Sequence, residues 1–162
     1  MTPPPLNLDH QKESLLKEGL ALFETAQWEQ SFKMFSHLLS IEPSHFEALH
    51  RSALILLRQQ QFSQSVPYLV KALATEPTHS QSLRNLSWVL FNLGRLEEAL
   101  EVAKRRLEIE PDSLDGLSLW AQIHTKLGAL DEALKTWQLL AQRAPQSADI
   151  QSNQIGRASC RE

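Results

Sequence analysis

Four prolines, Pro43, Pro77, Pro111 and Pro145, recur at a constant spacing of 34 residues. Such a period means that one structural unit is copied in tandem, and that each copy buries its apolar face against its neighbours. With each proline set at position 32 of a unit, the copies run over residues 12–45, 46–79, 80–113 and 114–147. Other columns then fall into register. Position 4 reads Leu15, Leu49, Leu83 and Leu117, and position 11 reads Leu22, Leu56, Leu90 and His124. Position 8 is small throughout (Gly19, Ala53, Ser87, Ala121), as is position 20 (Ser31, Ser65, Ala99, Ala133). Small side chains in two matched columns predict two helices per unit in close approach. Larger fillers follow at position 17 (Trp28, Phe62, Leu96, Leu130) and position 24 (Phe35, Leu69, Ala103, Trp137).

Local chemistry fits helix–turn–helix units. Breaks between the two helices are expected at 25–27, 59–61, 93–95 and 127–129, where Gly94 and Gly128 can close a helix in the left-handed conformation. Between units each proline stops a helix, and Ser44, Thr78 and Asp112 follow as candidate N-caps. Pro67 is read as lying in the first turn of its helix, where a missing donor costs little.

The columns resemble the tetratricopeptide repeat family, whose pattern is W-x2-L-G-x2-Y, then A-x3-F, then P. The resemblance covers residues 12–147, with Leu in place of Trp at position 4 and only Gly19 and Leu86 matching the L-G pair. It implies an all-α solenoid of four helix–turn–helix repeats wound into a right-handed superhelix.

Composition sets further bounds. With 162 residues, 42% of them hydrophobic, the chain can bury a continuous core, and a net charge of −3 supplies no basic field for nucleic acid. No cationic start with an apolar run follows Met1, and no stretch is apolar enough to span a membrane, so the expected location is cytoplasmic. Residues 1–11, with Pro3, Pro4 and Pro5, read as a flexible arm. Residues 148–162 read as the start of a fifth repeat followed by a non-native tail that includes the single cysteine, Cys160. The last repeat then lacks a capping helix, which leaves apolar surface around Trp120 and Trp137 and a route to self-association.

The sequence offers little for catalysis. His10, His37, His45, His50, His79 and His124 lack metal-ligand spacing, and the glycines are isolated, so neither a metal nor a cofactor is expected. His45 and His79 share position 34 and are assigned to the repeat corner. The charge run from Glu97 through Lys104, Arg105 and Arg106 to Glu108 reads as a solvated helix face.

In the resembling family, positions 2, 5, 9, 12 and 13 of the first helices line a binding groove. The residues that this implies are Leu16, Leu20 and Phe23 in repeat one, and His50, Leu54 and Leu57 in repeat two. Arg84, Trp88, Phe91 and Asn92 follow in repeat three, and Gln122 and Lys126 in repeat four. Leu20, Leu54 and Trp88 at position 9 make the groove largely apolar through three repeats. Family members that clamp a chaperone peptide's C-terminal carboxylate use Lys, Asn, Asn, Lys and Arg in a fixed pattern. Leu16, Leu20, Arg51, Gln81 and Asn85, or His50, Leu54, Asn85, Asp115 and Leu119 one repeat on, do not reproduce it. The expected function is therefore a non-catalytic module that binds a protein or peptide with hydrophobic anchors, as an adaptor, scaffold or chaperone. The alternative is the N-terminal repeat segment of a longer enzyme such as a glycosyltransferase or sulfotransferase.

Overall fold

The structure, a computed structural model, describes residues 7–144. Pro145, the proposed fifth repeat, the C-terminal tail and the three consecutive prolines lie outside them. Eight helices occur among the described residues, and no strand. They are α1 (Leu8–Glu24), α2 (Trp28–Ile41), α3 (Phe46–Arg58), α4 (Phe62–Thr75), α5 (Ser80–Asn92), α6 (Leu96–Ile109), α7 (Leu114–Lys126) and α8 (Leu130–Arg143). The chain divides into two compact units, Met1–Ser82 and Leu83–Glu162.

Within the first unit α1 packs on α2, α2 on α3 and α3 on α4; within the second α6 packs on α7 and α7 on α8. The matched small columns are buried, and in the first repeat they meet directly. Ser31 Oγ donates to the Gly19 carbonyl across the α1–α2 crossing at 2.8 Å. A Cβ on Gly19 would lie 2.6 Å from Cε1 of Phe35, so this glycine makes room for the ring. Ala53 and Ser65, Ser87 and Ala99, and Ala121 and Ala133 are all fully buried. Beside them lie Leu15, Phe35, Leu38 and Ala48 in the first unit and Leu117, Trp137 and Leu140 in the second. Trp137 is only 2% exposed, so this ring is core and not part of an exposed apolar surface. Trp120 is half-buried, its ring centroid 4.7 Å from that of His124.

The four breaks have one backbone geometry. Ala26, Gln60, Gly94 and Gly128 all take positive φ, between 58° and 77°. In each the next residue donates to the carbonyl five positions back: Gln27 to Leu22, Gln61 to Leu56, Arg95 to Leu90 and Ala129 to His124, at 2.8–2.9 Å. Together with the bond from the left-handed residue itself to the carbonyl three positions back, at 3.0–3.2 Å, this is a Schellman closure, which occupies carbonyls that the helix end leaves open. Ala26 and Gln60 adopt the conformation despite a Cβ.

Corners between repeats are built around the periodic prolines. The residue before each, Glu42, Glu76 or Glu110, is forced out of helical ψ to between 72° and 87°. His45, His79 and Ser113 then donate back to those glutamates' carbonyls, closing a turn with proline at its second position. The N-caps sit one residue beyond Ser44, Thr78 and Asp112. His45 Nδ1 accepts from the Ala48 N–H, His79 Nδ1 from Ser82 and Ser113 Oγ from Gly116. The turn itself consumes the residue after proline, which moves the cap on by one.

Two further boundaries differ from expectation. Asn7 accepts from the His10 N–H and starts α1 at Leu8, so residues 8–11 are helical rather than part of an arm. Pro67 is the sixth residue of α4, in its second turn, so the bond it would donate to Ser63 is missing; both residues are exposed.

Gly94→Ala and Gly128→Ala should each destabilise by about 1 kcal/mol, while Ala26→Gly and Gln60→Gly should be neutral or stabilising. Urea unfolding of the four variants checks this, and a loss at Ala26→Gly as large as at Gly94→Ala would contradict the strain argument. Trp137→Ala should cost about 3–5 kcal/mol, and an unchanged thermal midpoint would refute its core placement.

Candidate functional site

The twelve residues expected in a groove divide by unit. In the first, Leu16, Leu20 and Leu54 are half-buried and pack against the α1–α3 core. Leu57 is also half-buried. Phe23 is core, 8% exposed, edge-on to Trp28 at 5.1 Å and capped by the Arg51 guanidinium at 4.9 Å. Apolar residues at the expected groove positions here serve packing.

His50 is buried as well, and its setting is specific. Ser82 Oγ lies 3.0 Å from His50 Nδ1 and 2.9 Å from His79 Nδ1. Because His79 Nδ1 also accepts the Ser82 N–H, it carries no proton, so the Ser82 hydroxyl donates to it and His50 donates to the hydroxyl. Phe46 stacks on His50 at 5.8 Å and meets His79 edge-on at 4.8 Å. Burial first, then the neighbouring His79 imidazole and the Arg51 guanidinium, lowers the His50 pKa to about 4, against opposing effects of Glu47 and Gln81. This is a neutral histidine serving structure, not a ligand contact.

In the second unit the expected residues converge. A cleft of about 550 Å³ is lined by Arg84, Asn85, Trp88, Phe91 and Asn92 from α5, Arg106 from α6, and Asp115, Ser118, Leu119 and Gln122 from α7. Trp88 is 45% exposed, an unusual state for so large an apolar ring. The Lys126 ammonium sits 4.2 Å from the Phe91 ring centroid. Asn92 Nδ2 donates to the Trp88 carbonyl at 2.8 Å, and Gln122 to Ser118 Oγ at 3.1 Å.

Arg106 is the residue that the charge-run reading misplaced. Far from being solvated, it is 4% exposed. Its Nη2 donates to both oxygens of Asp115, at 2.9 and 2.8 Å, and to Ser113 Oγ at 2.8 Å. Arg84 Nε reaches the same carboxylate at 3.1 Å. Burial pushes the Asp115 carboxyl up, but the Ser113 hydroxyl and the two guanidiniums outweigh it and hold the carboxyl below its usual range. The repeat register explains the burial: position 27 holds Leu38, Ala72 and Leu140 in the other copies, all in the core. A charge in that column was the available signal.

Among the described residues no group of three or more His, Cys, Asp or Glu is placed to hold a metal, and no helix is long and apolar enough to cross a membrane. Paired helices joined by left-handed corners and repeated at a fixed period define a helical tandem-repeat protein. A tetratricopeptide repeat family model matches residues 56–123. No curated protein sequence matches the chain. Among solved structures it is similar to YrrB, described as a TPR protein with an unusual peptide-binding site, at 18% identity and a TM-score of 0.78, covering 84% of this chain and 70% of that one. It is also similar to MamA from residue 41 onward of Desulfovibrio magneticus RS-1, at 20% identity and a TM-score of 0.71, with 84% and 78% covered. MamA AMB-1 aligns at 21% identity and a TM-score of 0.79, with 85% and 75% covered. Residues 56–123 thus carry the tetratricopeptide repeat pattern, and the fold is the all-α repeat architecture of the structures to which the chain is similar.

The histidine cluster gives a pH prediction. His50 is neutral in the fold down to about pH 4 but protonates near 6.5 when unfolded. Its contribution is therefore fully present above pH 6.5 and is lost as pH falls from there towards 4, an effect of about 2–3 kcal/mol. Unfolding of wild type and His50→Gln, compared from pH 7.5 to 4.5, should show the wild type's advantage shrinking. A constant difference would show that His50 does not couple to protons.

Proposed function

We propose that the chain is a non-catalytic interaction module that binds a segment of a partner protein in the cleft of its second unit, with Trp88 as the apolar anchor surface. The observation that carries this reading is the exposed Trp88 ring inside a concave cleft rather than on a convex surface. Concave clefts of roughly 300–1,000 Å³ with aromatic walls and a few fixed polar groups are the usual form of ligand sites in general, and Trp and Arg are enriched where binding energy concentrates. Within the cleft, Asn92, Gln122 and Arg84 supply polar contacts for an extended backbone, and Phe91 and Leu119 supply further apolar wall. The description of YrrB as a peptide binder adds support by analogy of fold.

Selection of phage-displayed random dodecapeptides on the immobilised protein tests the proposal. Trp88→Ala should melt within a few degrees of wild type, because much of the ring is already in water, yet should recover far fewer phage, in line with a loss of about 2 kcal/mol or more. Equal recovery on both proteins would place recognition elsewhere, and a large fall in melting temperature would make Trp88 structural.

A further inference from the structure

The cleft has a chemical bias that its shape alone does not require. Its wall carries two guanidinium groups, Arg84 and Arg106, against one carboxylate, Asp115, which both of them share. Lys126 adds a further cation on Phe91. Two buried polar atoms of the wall lack hydrogen-bond partners, Asn85 Nδ2 and Arg106 Nε, and both are donors. Glu110 Oε2 lies 3.6 Å from Arg106 Nε, too far for a hydrogen bond. With Glu110 counted as the ion-pair partner of Arg106, Lys126 still leaves one cation more than the carboxylates around the cleft, and two donors stay unpartnered, within a chain whose net charge is −3.

Arg106 makes the bias more telling. Position 27 holds Leu38, Ala72 and Leu140 in the other repeats, so an apolar residue fits this place in the fold. A buried ion pair contributes little to stability compared with well-packed apolar side chains. Repeat three thus holds a fixed cation at the base of the cleft where packing alone calls for Leu.

We propose that the cleft selects partner segments in which a carboxylate side chain neighbours the apolar anchor, with Arg84 and Arg106 supplying the charge that receives it. In the free protein Asp115 holds the place of that carboxylate. An incoming acid takes up Arg84, which is 60% exposed on its side chain and free to turn, while Arg106 keeps Asp115 and holds the local field positive. Charge-assisted bonds in a partly enclosed site exceed neutral ones, which is the source of the discrimination. This inference rests on the peptide-binding reading above.

The test uses the pool recovered on wild type but not on Trp88→Ala. Acidic residues should be enriched in it, and replacing the acid in a recovered peptide (Asp→Asn or Glu→Gln) should weaken binding about ten-fold, measured by fluorescence polarisation. Arg106→Leu, which gives this position the residue type of repeats one and four, should keep or raise the melting temperature and yet lose most of that preference. Arg84→Gln, at an exposed position, should lose it as well and serves if Arg106→Leu does not fold. A Trp88-dependent pool without acidic enrichment, or acidic peptides that bind Arg84→Gln and a folded Arg106→Leu as tightly as wild type, would overturn the inference while leaving the peptide site intact. Absence of any Trp88-dependent pool would overturn both.

Discussion

The fold depends on close crossings between paired helices, made where one small side chain meets another. Gly19 meets Ser31 across the α1–α2 crossing, Ala121 and Ala133 share one core cluster, and the same two columns hold Ala53, Ser65, Ser87 and Ala99, all eight residues being buried. Everything larger is arranged around these points. Phe35 can lie over α1 only because Gly19 has no side chain, and Trp137 fills the corresponding place beside Ala121. Because protein interiors are close-packed, a methyl group added at such a crossing moves a whole helix instead of being absorbed locally.

How much of this was legible in the sequence follows from which interactions are periodic. Helix positions, breaks and core columns repeat every 34 residues, so four copies reinforce one another and the breaks at 25–27, 59–61, 93–95 and 127–129 fall where the spacing predicts. The N-caps were misplaced by one because the proline turn consumes a residue, a matter of backbone geometry that residue type does not encode. The beginning of α1 was misplaced because Asn7 belongs to no repeat column.

The site was legible only in part, and the reason is physical. A position that faces a groove in one repeat faces packing partners in another, so Leu20, Leu54 and Trp88 share a column but not an environment. Reading the column as uniform put Phe23 and His50 in the groove, whereas one is core and the other is fixed by Ser82. The opposite error hid Arg106. Local sequence shows it among exposed Glu101, Lys104 and Arg105, and only comparison with the same position in the other repeats shows that it must be buried. In tandem repeats the departures from register carry information about function, and the register itself carries the fold.

Each corner of the chain is closed by its own backbone. The left-handed residue and its successor satisfy the helix end, and the glutamate–proline turn and the following cap begin the next helix, with every bond made inside a few consecutive residues. More distant side chains reach these corners as well: Thr75 Oγ1 donates to the Ser44 carbonyl at 3.3 Å and Arg143 pairs with Asp112 at 2.6 Å. A gene duplication or deletion of one whole period would therefore join two corners whose local backbone bonds are intact, and a chain of three or five repeats would inherit the same backbone turn at each. Length in such a protein can vary by steps of one repeat, so the extent of its surface can evolve separately from the chemistry of any one cleft.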